Sequence, residues 1–235
     1  MLELKPERLN VGEFSEQPVS ICGRAFVADV SGALHWPGEN ALIVADLHFD
    51  TGAPAPAEGA FPPASDTRAT LSRLAEVIDR FDAGTVICLG AANPRAMSSE
   101  DLETLAIMQE DREWIWVTGE HGRDALEPLG GHVRDRLDVA GIVLRHEPVA
   151  GPVTHEISGR LNPAARISYY GHVIRRPCFA GNGLRLVLPA FGSYAGGVNV
   201  LDAAFAPLFG NDGFAVWVLG QEGLYPVATR LLKED

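Results

Sequence analysis

Four short apolar runs punctuate the chain, and each ends in a glycine or in a polar side chain. Leu42-Ile43-Val44-Ala45 runs into Asp46-Leu47-His48, and Thr85-Val86-Ile87-Cys88-Leu89 into Gly90. Trp114-Ile115-Trp116-Val117-Thr118 leads to Gly119-Glu120-His121, and Gly141-Ile142-Val143-Leu144-Arg145 to His146-Glu147-Pro148. Such runs, bounded by turn signals, read as buried strands. Between them the period changes. Ser65-Asp66 opens a helix through Phe81, with Leu71, Leu74, Ala75 and Ile78 at helical spacing. Ser98, followed three residues later by Asp101, has the form of a capping box before Leu102, Leu105 and Met108. Strand, helix, strand, repeated, predicts a right-handed parallel core.

On either side of this core the pattern is β-like. Val19 to Val27 and Ala33 to Trp36 flank Asp29-Val30-Ser31-Gly32 and predict a hairpin. After Gly130 the helical signal fades into short strands at Ile142 to Leu144, Arg166 to Tyr170, Leu184 to Leu188, Phe214 to Leu219 and Tyr225 to Ala228. Thr51 to Pro63 is rich in Pro, Ala and Gly and reads as a surface loop. The class is α/β, with no linker and no repeat dividing the chain, so residues 1–235 are taken as one domain.

The residues that close the runs carry the chemistry. Asp46 and His48, one residue apart on an extended segment, point to the same side and can reach one cation. The competing reading of an isolated pair is a turn-capping Asp beside a partly exposed His. Strand ends are where α/β sheets place their ligands, which favours the first reading.

The order and spacing of these closing residues resemble the calcineurin-like metallophosphoesterases. That family reads Asp-x-His, Gly-Asp, Gly-Asn-His, a lone His and Gly-His-x-His, and holds two divalent metals bridged by an Asp. Pro62-Pro63, Asp66-Thr67-Arg68, Arg145-His146-Glu147-Pro148 and Leu188-Pro189-Ala190-Phe191-Gly192 are similar to one branch, the bacterial ligase-associated DNA-damage-response endonucleases. The resemblance implies a four-layer α/β/β/α sandwich, two mixed sheets flanked by helices. It implies Mn, Zn or Fe as cofactor, and DNA or ligase-associated repair proteins as partners.

Departures from the pattern fall on the metal ligands. Asp46, His48 and His146 keep their places, but Ala91 stands where the bridging Asp is expected and Glu120 where the Asn is. The closing motif aligns with Gly159-Arg160-Leu161-Asn162, so both of its histidines are replaced. A methyl group donates no lone pair, and a guanidinium has no acceptor and is always charged. The resemblance gives His121 the role of the acid beside the leaving group; without metals, a structural His at a glycine turn is the simpler reading. Arg160 and Glu120 form a matched exchange of charge, in which the guanidinium replaces a lost cation and binds phosphate. Asn162 remains as a weak oxygen ligand or phosphate contact.

Three readings follow: a pseudoenzyme that works by binding, a phosphodiesterase or endonuclease with an altered site of Asp46, His48, Glu120 and His146, and a phosphate or nucleotide binder built on Arg160. Under the first, no cofactor is required.

Composition narrows the setting. With 19 basic and 31 acidic residues the net charge is −12, which opposes general attraction to nucleic acid. Between Arg134 and Arg185, however, eight Arg stand against four acidic residues. Three widely spaced cysteines, Cys22, Cys88 and Cys178, fit a reducing cytoplasm, with Cys88 as small core filler. Met1 to Asn10 is charged and lacks the apolar segment of a signal peptide. His35, His132, His155 and His172 fall outside the motif, and Gly192-Ser193-Tyr194-Ala195-Gly196-Gly197 lacks the Lys of a phosphate loop.

Overall fold

Every side chain from Ala41 to Ala45 is buried, yet alternate residues face two different cores. Leu42 and Val44 pack under helices, whereas Ile43 and Ala45 face a second sheet. The period-two geometry of a strand makes one unbroken apolar run serve both layers. The computed structural model describes residues 15–47, 49, 67–90, 97–118, 126–169, 172–192, 197–210, 213–221 and 223–235.

The first sheet holds seven strands in chain order: β1 (Glu16–Ile21), β2 (Arg24–Asp29), β3 (Leu34–Trp36), β4 (Ala41–Ala45), β5 (Thr85–Leu89), β6 (Glu113–Val117) and β7 (His132–Arg134). β1 to β4 form an antiparallel meander, and β4 to β7 are parallel. The helices α1 (Thr67–Phe81) and α2 (Ser99–Gln109) cover its outer face through Leu71, Leu74, Ile78, Leu105 and Met108. The capping box at α2 forms as expected: Ser98 Oγ accepts from the Asp101 N–H and the Asp101 carboxylate accepts from the Ser98 N–H. Ser65 and Asp66, expected to open α1, lie outside the described residues.

One local expectation is corrected. Val19 to Val27 is not one arm of a hairpin but contains a turn, because Cys22 and Gly23 both adopt positive φ, 53° and 75°. Two adjacent residues with positive φ close a tight hairpin whose twist suits the strands, and β1 pairs with β2 across it.

The second sheet is formed by β8 (Leu137–Val139), β9 (Ile142–Arg145), β10 (Glu156–Ser158), β11 (Pro163–Tyr169), β12 (His172–Gly181), β13 (Arg185–Val187), β14 (Val198–Asn199), β15 (Ala215–Leu219) and β16 (Leu224–Val227). Its order is β14-β11-β12-β13-β10-β9-β8, with β15 paired to β12 and β16 to β15. β9, β10 and β13 are parallel to one another, and the other pairs are antiparallel except β11 with β14. Ile142, Leu144, Ile157, Phe179, Leu186 and Leu188 pack against Ile43, Ile87, Leu89, Ile115 and Val117 of the first sheet. On the far face Phe205, Leu208 and Phe209, around the single turn α3 (Ala206–Phe209), cover Ala165, Cys178, Ala180, Val187 and Val216. The sandwich of two mixed sheets is therefore the calcineurin-like one, with its second outer layer reduced to one helical turn among the described residues.

That far face also holds a charge cluster with a fully buried pair at its centre. Glu156 and Arg185, at 1% and 0% exposure, lie opposite each other on β10 and β13 and pair at 2.8 Å, and Arg145 reaches the other carboxylate oxygen at 3.1 Å. Arg185 also donates to the carbonyls of Leu208, Val149 and Gly151, so the loops outside β10 are pinned to it. Among the described residues no helix is long and apolar enough to cross a membrane.

Candidate functional site

Four strand ends, two from each sheet, meet at one point. β4 delivers Asp46, β5 Gly90, β9 His146 and β10 Gly159 with Arg160. The sheets are stitched there, since the Phe191 N–H donates to the Ala45 carbonyl at 2.8 Å and Ala45 bridges Ala190. Asp46 leaves β4 in a left-handed conformation, φ 46°, with its own N–H held by the Leu89 carbonyl at 3.0 Å. Asp tolerates this region better than most residues.

The Asp46 side chain, 7% exposed, meets two groups from the second sheet. Its Oδ1 lies 2.9 Å from His146 Nε2, and its Oδ2 accepts the Arg160 backbone N–H at 2.8 Å. His146 is in turn held by its carbonyl, which accepts from the Gly159 N–H at 3.0 Å. Neither partner of Asp46 need carry a positive charge, because imidazole is neutral in its basic form and an amide always is. Among the described residues the carboxylate is therefore hydrogen-bonded without being paired to a permanent cation.

Two glycines make room for this contact. At Gly90, φ 128°, a Cβ would lie 2.8 Å from Asp46 Oδ1 and 3.1 Å from His146 Nε2. At Gly159 it would lie 2.9 Å from the Ala45 Cβ and 3.1 Å from Asp46 Oδ2. Only hydrogen fits at either place. Their role beside the carboxylate was not read from the sequence, although a glycine directly after a buried strand is the signal that points to it. Arg160, φ 66°, turns its backbone inward to Asp46 while its side chain stays exposed. Its contact with Asp46 is thus made by the backbone amide. Asn162, φ 46°, has a buried Oδ1 without a hydrogen-bond partner among the described residues.

Of the sequence-derived candidates, Asp46, His146 and Arg160 are brought together. Asn162 lies two residues beyond Arg160, at the start of β11. His48, Glu120 and His121 lie outside the described residues, as do Ala91 and most of the glycine-rich stretch 192–197. The residue after Gly90 in the sequence is Ala91, whose methyl side chain has no lone pair to donate.

No protein-family model matches the chain, and no curated protein does. Among solved structures, a Pseudomonas putida nuclease, MPE, has a TM-score of 0.68 and 25% identity, over 90% of this chain and 100% of that one. The chain shares the fold of a nuclease. The metallophosphoesterase-like sandwich expected from the run-ending residues is thereby matched along nearly its whole length.

The donor set can be weighed for a divalent ion. Two ligand atoms about 2.1 Å from one ion and at right angles to each other are about 3.0 Å apart. The Asp46 and His146 atoms, at 2.9 Å, have that separation. Among the described residues, no third His, Cys, Asp or Glu joins them in a group able to hold a metal. Asp46 and His146 are two donors where a divalent ion takes three or more, so the described residues do not by themselves complete a site for an ion, and no carboxylate shared by two ions is found among them.

Proposed function

We propose that this chain is a phosphodiester-binding protein of nuclease fold whose site holds at most one divalent ion. The observation that supports it is the Asp46–His146 contact at the junction of the two sheets, 2.9 Å and walled by Gly90 and Gly159. Asp46 and His146, with His48, would hold the ion, and a bound divalent ion supplies Lewis-acid polarisation of a phosphoryl oxygen. The chain's own residues do the rest. The Arg160 amide N–H donates a hydrogen bond that aims Asp46, and the exposed guanidinium of the same residue offers a charge-assisted contact to a phosphate. The missing donor at Ala91 argues against the bridged pair of ions that in-line displacement by a two-metal site needs.

Titration of metal-free protein with Mn(II), followed by calorimetry, is expected to give no more than one ion per chain, and Asp46→Ala is expected to abolish it. Two ions per chain, or rapid cleavage of DNA by the purified protein, would overturn the reading. A single-metal phosphodiesterase is the second reading, favoured by the same 2.9 Å spacing; it requires Mn-dependent turnover of a nitrophenyl phosphodiester that Asp46→Ala removes.

A further inference from the structure

Between Arg160 and Arg185 the chain has five arginines and no acidic residue, within a protein of net charge −12. Two of the five, Arg166 on β11 and Arg175 on β12, stand directly opposite each other on the ribbon that begins at Pro163, immediately after the site. Like charges at facing positions of an antiparallel pair destabilise it. The ribbon keeps them, and the C-terminal segment comes to meet them. Leu232 bridges Ile167, the Lys233 N–H donates to the Arg166 carbonyl, and Arg166 donates to the Glu234 carbonyl. The Asp235 carboxylate sits on Arg175 Nη1 at 2.9 and 3.0 Å.

Arg166 meets a neutral backbone carbonyl and Arg175 a carboxylate, and the latter contact is open to exchange. Arg175 and Asp235 are 43% and 56% exposed, and an exposed ion pair is worth about 0–1 kcal/mol. A backbone phosphodiester offers a guanidinium two non-bridging oxygens that share one negative charge, as a carboxylate does, and can replace it. Arg166 lies four positions beyond Asn162, about 13 Å at the rise of a strand. A nucleic-acid strand lying on the ribbon therefore has one end at Arg160 and Asp46.

We propose that the Arg166–Arg175 face of the β11–β12 ribbon is a contact surface for a nucleic-acid backbone, and that the Glu234–Asp235 segment occupies it as an internal competitor. Its lead into the site rests on the function proposed above; the binding itself does not. The test is fluorescence anisotropy of a labelled single-stranded oligonucleotide in EDTA, across a range of salt, so that no cleavage is needed and an inert site does not bear on the outcome. Arg175→Gln and Arg166→Gln are each expected to weaken binding several-fold and to flatten the log-log salt dependence by about one unit. Asp235→Asn is expected to tighten binding two- to five-fold and to steepen the same slope. Unchanged affinity in both arginine variants, weaker binding in Asp235→Asn, or a preference for anionic lipid vesicles over the oligonucleotide would each overturn the proposal.

Discussion

Arg145 and His146 are neighbours in the chain, but the alternation of β9 sends them to opposite faces of the second sheet, where each meets a buried carboxylate. On the outer face Glu156 is enclosed by Arg185 and Arg145, two permanent cations, and Arg185 spends its remaining donors on three carbonyls. On the inner face Asp46 has an imidazole and a backbone amide. The first carboxylate is neutralised by the fold itself. The second has no permanent cation against it among the described residues. Burial does not tell the two apart, since both carboxylates are almost inaccessible; the charge of the partners does.

The largest effect expected from this contrast is on the outer cluster. Glu156→Ala leaves Arg185 buried without its counter-ion, which typically costs about 3–5 kcal/mol, and urea unfolding is expected to show that loss. If Asp46→Ala costs as much, the two carboxylates serve the same structural purpose and the distinction fails. Next in size is Gly90→Ala, expected to cost about 1–3 kcal/mol through its positive φ and its clash with Asp46. The same variant should weaken Mn(II) binding at least tenfold, read by calorimetry, because it forces Asp46 and His146 apart.

A double-mutant cycle across Asp46→Asn and His146→Gln follows, with a coupling of about 0.5–1.5 kcal/mol expected for a neutral-donor hydrogen bond. A larger coupling would indicate a charged imidazole, and a site already holding its own cation. The smallest effect is in pH. Burial raises the Glu156 carboxyl more than Arg185 and Arg145 lower it, so its folded value lies above its unfolded one. The contribution of that group to stability is then full below the ordinary glutamate range and lost as pH rises through the raised value. Glu156→Gln should remove this slope from stability measured by urea unfolding as pH is raised from the acid side.

The parallel half of the first sheet was legible because its strands are buried on both faces and so appear as unbroken apolar runs. β4, β5 and β6 begin and end within a residue or so of the runs that announced them. β10 and β12 were not found. β10 is only Glu156–Ser158, and its first residue is a buried acid that makes sense only opposite Arg185. β12 starts in His172, Val173, Arg175 and Arg176, polar because that half faces solvent, and crosses Pro177 before its buried half begins. At the site, Asp46 and His146 could be picked out as donors at strand ends. The inward turn of the Arg160 amide could not, since it depends on a positive φ that nothing about arginine favours.

The hydrogen bonds that complete the site join Asp46 to residues 100 and 114 positions away along the chain. The β1–β4 meander, by contrast, closes through short turns, and contacts of low sequence separation form early while distant ones wait for loops to close. A nascent chain can thus finish its first hairpins long before Asp46 meets its partners. The contacts of Asp46 are a late-folding property, and their appearance during refolding would time the docking of one sheet on the other.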